Sequence, residues 1–176
     1  LLHKGKGVLR GVPTGFPDLD NILSGLQPSD LIVLAARPSL GKTTFALDMA
    51  RNVAINHNIP VGIFSLEMSV QQVVDRFIAA EANVDLWKLR TGRLEENSDD
   101  FIRIRDSLER LSKAPIFIDD SASSNILEMR TMSRKLKAEH GLGLIIVDYL
   151  QLMEGRRRVE SRVQEVSEFS RSLKSL

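Results

Sequence analysis

The sequence predicts an α/β domain, built on a mostly parallel sheet with helices on both faces. Short continuous apolar runs alternate along the chain with longer stretches whose apolar residues recur every three or four positions. Continuous runs are typical of strands buried on both faces, as parallel sheets require, and the longer spacing is typical of amphipathic helices. The chain has 176 residues, of which 43% are hydrophobic, enough for one domain with a substantial core.

Four apolar runs are the predicted strands of this sheet. They are Leu31–Ala35, Pro60–Leu66, Pro115–Ile118 and Leu144–Val147. The helices predicted after them cover Lys42–Asn56, Val70–Ala80, 101–111 and 126–136. A last amphipathic stretch, 163–176, predicts a helix that reaches the final residue without a capping glycine, so we expect the chain to be a piece of a larger protein.

Composition and charge exclude several classes of protein. The 24 basic and 23 acidic side chains nearly balance, so any basic surface must be local. The chain has no cysteine, which excludes disulfide scaffolds, thiol nucleophiles and thiolate metal sites. Because the sequence has neither a run of about 18 apolar residues nor a secretory signal at its start, we expect a cytoplasmic protein with no membrane partner.

A phosphate-binding loop follows the first predicted strand. The segment Ala36–Thr43 (ARPSLGKT) matches the pattern G-x-x-x-x-G-K-[ST], except that Ala36 replaces the first glycine. Alanine is compatible with the loop if its φ is negative. The loop directs backbone N–H groups and the positive end of the following helix at one point, where Lys42 reaches the β- and γ-phosphates and the Thr43 hydroxyl binds Mg²⁺.

Two carboxylates follow later predicted strands. Asp148 ends the run Leu144–Val147, at the sheet edge where ligands bind, and is the predicted Mg²⁺ carboxylate. Glu67 follows the run Pro60–Leu66 and is the predicted base that orients and deprotonates an attacking water. The alternatives are a strand-end turn residue for Asp148 and, for Glu67, a carboxylate that stabilises the N-terminus of the next helix.

Several short segments stand in an order that resembles one family of helicases. They are GVPTGF at 11–16 with Leu19 and Asp20, AARPSLGKT at 35–43, FSLEMS at 64–69, LRTG at 89–92, DYLQLM at 148–153, EVS at 165–167 and SRSLK at 170–174. Together they span nearly the whole chain and resemble the RecA-like ATPase domain of the DnaB family of replicative DNA helicases. That family commonly has alanine at the position of Ala36.

The resemblance implies an ATP-hydrolysing DNA helicase motor that moves 5′-to-3′ and uses ATP and Mg²⁺. In it Glu67 is the catalytic base, Lys42 the phosphate-binding lysine, and Thr43 and Asp148 the magnesium residues, Asp148 through water as the Walker B aspartate. The expected ATP-binding residues are Ala36, Arg37, Pro38, Ser39, Leu40, Gly41, Lys42, Thr43, Thr44, Asp148 and Gln151.

The resemblance also implies partners. The family forms homohexamers that hydrolyse ATP between subunits and translocate on single-stranded DNA, with primase and a helicase loader as further partners. The loop after Asp148 faces the DNA channel in the family, so the candidate DNA-binding residues are Arg156, Arg157, Arg158 and Arg162. An ordinary solvated loop is the alternative. Gln151 could relay the nucleotide state to this loop, or be a polar residue that packs at a strand end.

The resemblance divides the chain into the end of an interdomain linker, residues 1–8, and an incomplete ATPase domain, residues 9–176. The family's γ-phosphate-sensing glutamine and basic finger would lie beyond Leu176, and its primase-binding domain before Leu1. Because a basic finger contributes about 10³–10⁵ in rate in related phosphoryl-transfer systems, we expect the chain by itself to bind nucleotide poorly and hydrolyse it slowly.

A RecA-, RadA- or KaiC-like ATPase is the alternative function. Those families share the segment from Thr14 to Asp20, the phosphate-binding loop and a glutamate after the second strand. The contexts of residues 67–69 and 149–153 resemble the helicase more closely. A GTPase would carry Asn-Lys-x-Asp, and the sequence has no Asn-Lys pair; a small-molecule kinase would need an arginine-rich lid, which the sequence also lacks.

Overall fold

The computed structural model describes residues 10–94, 99–121 and 126–148, together with Arg171 and Lys174. The strands of this part of the chain are β1 (Val61–Ser65), β2 (Ile116–Asp119) and β3 (Leu144–Asp148). Its helices are α1 (Pro17–Leu23), α2 (Lys42–His57), α3 (Val70–Ala82), α4 (Leu86–Thr91), α5 (Asp99–Lys113) and α6 (Ile126–His140). Arg171 and Lys174 are helical, as the sequence predicts; the rest of 163–176 lies outside the described residues.

The three strands form one parallel sheet in the order β2-β1-β3. The register places Val61 beside Ile116 on one side and beside Leu144 on the other. All five residues of β1 are buried, because this central strand is flanked by strands at both edges and covered on both faces. Three of the four predicted strands are therefore confirmed.

The first predicted strand, Leu31–Ala35, is not a strand of this sheet. Its side chains are exposed, with Ile32 at 51% and Val33 at 64%. The prediction of a buried strand here is wrong for this structure. An apolar run becomes a buried strand only where a neighbour pairs with it and other elements cover it, and within the described residues β3 pairs along its β1 edge alone.

Helices cover both faces of the sheet. Val61 and Ile63 point to one face, where they pack with residues of α2 and α3; the buried members of this cluster are Leu47, Ala50, Val53, Ala54, Val61, Ile63, Val73 and Phe77. On the other face Phe64 packs against Met129 of α6. The alternation of Ile63 and Phe64 follows the two-residue period of a strand. The predicted arrangement of a parallel sheet between helix layers is confirmed.

An ion-pair cluster joins three of the helices. Glu81 of α3 pairs with Arg51 of α2 and, at 3.1 Å, with Arg110 of α5. Elsewhere on α5, the hydrogen bond and positive charge of Lys113 lower the pKa of the exposed Glu109.

No helix within the described residues is both long enough and apolar enough to span a bilayer.

Candidate nucleotide-binding site

The carboxyl ends of β1 and β3 bring the candidate residues to one edge of the sheet. Asp148, the last residue of β3, lies beside Ser65, the last residue of β1. The backbone N–H of Leu66 donates to the carbonyl oxygen of Asp148 at 2.8 Å, so the pairing continues beyond the end of β1. Glu67 follows directly. This is the edge at which ligands bind in open parallel sheets.

Within the phosphate-binding loop, Gly41 is the N-cap of α2 and Lys42 is the first residue of that helix. Ser39 and Gly41 have positive φ angles, of 65° and 83°, whereas Ala36 is absent from the positive-φ residues of the described chain. Alanine is thus compatible with its position in the loop. The first N–H groups of a helix have no acceptor within the helix, so the start of α2 offers donors to an anion.

Lys42, Thr43 and Asp148 meet at this edge. The Nζ atom of Lys42 lies 2.9 Å from Oδ1 of Asp148, and the hydroxyl of Thr43 donates to Oδ2 at 2.6 Å. The two residues of the second contact are 105 positions apart in sequence. Asp148 is buried, and its contacts with Lys42 and Thr43 hold the carboxylate in one place.

The oxygen donors at this point fit a magnesium ion that arrives with a nucleotide. Mg²⁺ prefers carboxylate, hydroxyl, water and phosphate oxygens, and usually takes only one or two of its ligands from the protein. The Thr43 hydroxyl and the Asp148 carboxylate are such a pair. Across the described residues no group of three or more His, Asp or Glu side chains could hold a metal without a ligand's help.

Glu67 lies exposed in the turn between β1 and α3. It is not the cap of α3, because Ser69 is the N-cap and forms a capping box with Gln72. Asp120, which follows β2, adds a second cap by accepting a hydrogen bond from the Val70 N–H at 2.7 Å. The capping hydrogen bonds of α3 therefore come from Ser69 and Asp120 and not from Glu67.

Sequence reasoning missed Asp120 and Ser65 at this edge. The signal for Asp120 was available, since it follows an apolar strand as Asp148 does. Ser65 had no signal, because a serine that ends a strand reveals its hydrogen-bond partners only in the folded chain. Its hydroxyl contacts the backbone of Met68, in the turn that carries Glu67.

The segment Thr14–Asp20 fastens the start of the domain to α2. The Asp20 carboxylate accepts a hydrogen bond from the backbone N–H of the fully buried Thr14 at 2.8 Å. The ring of Phe16 packs on that of Phe45, with 4.6 Å between the ring centroids. Because Phe45 lies in the first turn of α2, this contact supports the helix that carries Lys42 and Thr43.

The remaining candidates lie outside the described residues. They are Gln151, Arg156, Arg157, Arg158 and Arg162, together with the predicted linker at residues 1–8. Their predicted roles in relaying the nucleotide state and in binding DNA stay predictions.

Comparison with known families decides what kind of domain carries this site. A family model described as the DnaB-like helicase C terminal domain matches residues 11–176. The chain belongs to this family. The DnaB-like domain includes the phosphate-binding loop, both carboxylates and the segment Thr14–Asp20 within its matched range.

Curated relatives of this DnaB-like domain are replicative helicases. The chain is 51% identical over 177 residues to the replicative DNA helicase DnaB of Geobacillus stearothermophilus, a match that covers 100% of the chain. It is 48% identical over 176 residues to the replicative DNA helicase DnaC of Bacillus subtilis (strain 168). The chain spans 38% of the length of each of these two relatives.

Two solved structures share the fold of the DnaB-like domain. One is described as an ATPase domain and matches with a TM-score of 0.90 at 31% identity, over 97% of this chain and 61% of that one. The other, a DnaB-like replicative helicase studied with its interactions with primase, matches with the same TM-score and identity over 98% of this chain and 42% of that one. The predicted RecA-like α/β fold is therefore confirmed.

Proposed function

We propose that this domain is the ATP-hydrolysing motor of a replicative DNA helicase. The observation that supports it most directly is the meeting of Lys42 and Thr43 with Asp148 at the carboxyl edge of a parallel sheet. A phosphate-binding loop by itself indicates a nucleotide but no particular reaction. Membership of the DnaB-like family narrows the reaction to that of the motor in a helicase.

The residues at the start of α2 bind the phosphates of ATP. The backbone N–H groups of the loop 36–43 and the positive end of α2 attract the anion, and the Lys42 ammonium neutralises charge on the β- and γ-phosphates. Thr43 and Asp148 hold Mg²⁺, the latter through water. When bound, Mg²⁺ supplies charge neutralisation on the phosphates.

Glu67 acts as the general base in this proposal. It is an exposed carboxylate two residues beyond the end of β1, on the same sheet edge as Asp148. A carboxylate there orients the attacking water and accepts its proton as the water oxygen bonds to the γ-phosphorus. The bond from that phosphorus to the β–γ bridging oxygen breaks in the same reaction, and ADP leaves with that oxygen. A general base contributes about 10²–10⁴ in rate, which sets the loss expected when its basicity is removed.

The partners of the whole protein are part of the same proposal. We infer a homohexamer that translocates 5′-to-3′ on single-stranded DNA in the cytoplasm, with primase and a helicase loader as partners. The names of the curated relatives and the primase studied with one structural relative support this inference. Arg156, Arg157, Arg158 and Arg162 are the proposed DNA contacts, and Gln151 the proposed relay. The alternative of a RecA-, RadA- or KaiC-like ATPase is not favoured by the family match.

The test is ATP turnover by the full-length protein with and without single-stranded DNA. We expect DNA to stimulate turnover and Glu67→Gln to reduce it by about 10²–10⁴ while nucleotide binding persists. Glu139→Gln, an exposed carboxylate of α6, is the matched control and should behave like the wild type.

Three outcomes would contradict parts of the proposal. Turnover that is indifferent to DNA would favour a regulatory ATPase. Turnover that survives Glu67→Gln would mean that another group is the base. Strand exchange without strand separation would favour a recombinase.

A further inference from the structure

The structure assigns a positioning role to Ser65: its hydroxyl fixes the turn that presents Glu67. This inference rests on the proposed function, in which Glu67 is the base. Ser65 does not contact the substrate in this assignment. It acts through the backbone of the turn from Leu66 to Met68, and so sets where the Glu67 carboxylate stands relative to Asp148.

The hydroxyl of Ser65 makes two hydrogen bonds to the backbone of Met68, one as donor and one as acceptor. It donates to the carbonyl oxygen of Met68 at 2.7 Å, and it accepts from the N–H of the same residue at 3.3 Å. Ser65 is 5% exposed, so water does not readily replace these bonds. One buried side chain therefore holds the residue that follows Glu67.

The residue that precedes Glu67 is fixed by a different bond. The N–H of Leu66 donates to the carbonyl oxygen of Asp148 at 2.8 Å, which extends the β1–β3 ladder by one residue. Beyond the turn, Met68 packs against the main hydrophobic cluster and Ser69 caps α3. Glu67 is thus held between two anchored neighbours, and its own side chain is exposed.

This arrangement ties the base to the magnesium carboxylate. Asp148 holds Leu66 through its backbone, while its side chain contacts Lys42 and Thr43. The Ser65 hydroxyl fixes Met68, the residue on the other side of Glu67. Without the hydroxyl the Met68 side of the turn can shift, and a displacement of about 1 Å at a catalytic group can cost about 10²-fold in rate.

The experiment measures kcat and nucleotide affinity of the full-length protein with Ser65→Ala. The matched control is Ser107→Ala in α5, since Ser107 is also buried and also donates at 2.7 Å to the carbonyl of a residue three positions away, Ile104. We expect Ser65→Ala to lower kcat by about 10- to 10²-fold with little change in nucleotide affinity. Ser107→Ala should leave both unchanged.

A double variant separates this role from general destabilisation. If Ser65 acts through Glu67, then Ser65→Ala adds no further loss of kcat in a Glu67→Gln background. An additive loss would overturn the inference, and so would an equal loss of kcat in Ser107→Ala. Full turnover by Glu67→Gln itself would instead overturn the proposed base, which keeps the two failures distinguishable.

Two further variants keep the inference testable if Ser65→Ala folds poorly. Ser65→Thr retains a hydroxyl on a β-branched residue suited to a strand, and we expect it to recover most of the kcat. Ser65→Cys keeps the approximate shape but offers only a weak donor, so its kcat should fall as in Ser65→Ala. Wild-type kcat in Ser65→Cys would overturn the inference.

Discussion

At the residue scale, Asp148 is the group on which the candidate site converges. Its two carboxylate oxygens contact Lys42 and Thr43, and its carbonyl oxygen accepts from Leu66. Lys42 is also the proposed phosphate ligand, so Asp148 and a phosphate compete for the same ammonium. The Asp148 carboxylate attracts Mg²⁺ but repels phosphate. It should therefore strengthen nucleotide binding when Mg²⁺ is present and weaken it when Mg²⁺ is absent.

Asp148→Asn is therefore expected to separate metal-dependent from metal-independent binding. With Mg²⁺ we expect ATP turnover to fall by at least about 10²-fold, because the charge that holds the metal is lost. Without Mg²⁺ we expect ADP to bind at least as tightly as to the wild type, since a negative charge beside Lys42 is removed. A steady-state ATPase assay measures the turnover. Titration of a fluorescent ADP analogue, once with Mg²⁺ and once with a chelator, measures the affinity.

The control for that titration is Asp106→Asn, an exposed carboxylate of α5 that pairs with Arg105. Asp106→Asn should leave the affinity for the ADP analogue unchanged, both with Mg²⁺ and with the chelator. An Asp148→Asn protein whose nucleotide affinity depends on Mg²⁺ as strongly as that of the wild type would contradict the magnesium role of Asp148.

Gly41 offers a second test at this scale. Its φ of 83° is in the left-handed region, and an added Cβ would meet no atom within 4 Å, so Gly41→Ala carries backbone strain alone. Gly92, with a φ of 65° and the same open surroundings at the C-cap of α4, is a matched control. We expect either alanine to lower the free energy of unfolding by about 1–2 kcal/mol.

The two glycine variants should differ in ligand binding. Only Gly41→Ala moves the N–H groups proposed to hold phosphate, so only it should weaken nucleotide affinity, as measured by isothermal calorimetry. Equal affinities for the two variants would argue against binding at the start of α2.

At the element scale, Glu81 connects α3 to α2 and to α5. Only 7% of its side chain is exposed, and it pairs with both Arg51 and Arg110. Removing one partner of a buried ion pair costs about 3–5 kcal/mol when it leaves an uncompensated charge. Here Arg51 also lies 3.4 Å from Asp48, which compensates part of that charge.

We therefore expect Glu81→Ala to lower the free energy of unfolding by about 2–3 kcal/mol, below the full cost of a broken buried pair. Glu109→Ala is the control: it removes the Lys113 pair, but Glu109 is 69% exposed, so the change should be small. Urea denaturation of both variants measures the difference. Equal changes in the free energy of unfolding would mean that the Glu81 ion pairs stabilise the fold no more than an exposed surface pair does.

Most elements could be predicted from the sequence. The runs at 60–66, 115–118 and 144–147 predict β1, β2 and β3, because strands of a parallel sheet are apolar on both faces. The helices α2, α3, α5 and α6 follow from apolar residues at spacings of three and four. Leu31–Ala35 has the same composition as a strand, but composition does not supply a pairing partner.

At the scale of the whole molecule, Leu31–Ala35 is an exposed apolar segment beside the phosphate-binding loop. This placement has a direct test in Val33→Lys, since Val33 is 64% exposed. We expect the 176-residue chain to keep its thermal unfolding midpoint with this substitution and to associate less, because no buried area is lost. Differential scanning calorimetry and light scattering measure the two effects.

The opposite result would contradict the exposed placement of Leu31–Ala35. A marked drop in the midpoint on Val33→Lys would mean that the segment is a buried strand in solution, as its sequence predicts. Asn56→Lys is a suitable control, since Asn56 is an exposed residue near the end of α2, remote in sequence from the segment.

The sequence by itself determined the local chemistry of this protein. The loop before α2, the carboxylates after two apolar runs and the periods of strands and helices each depend on residues close together in the chain, and turn and period rules are local. Tertiary structure alone decided that Thr43 meets Asp148 across 105 positions, that Ser65 holds the turn of Glu67, and that Leu31–Ala35 lies exposed. These depend on which strands pair and in what register, because pairing places residues distant in sequence side by side.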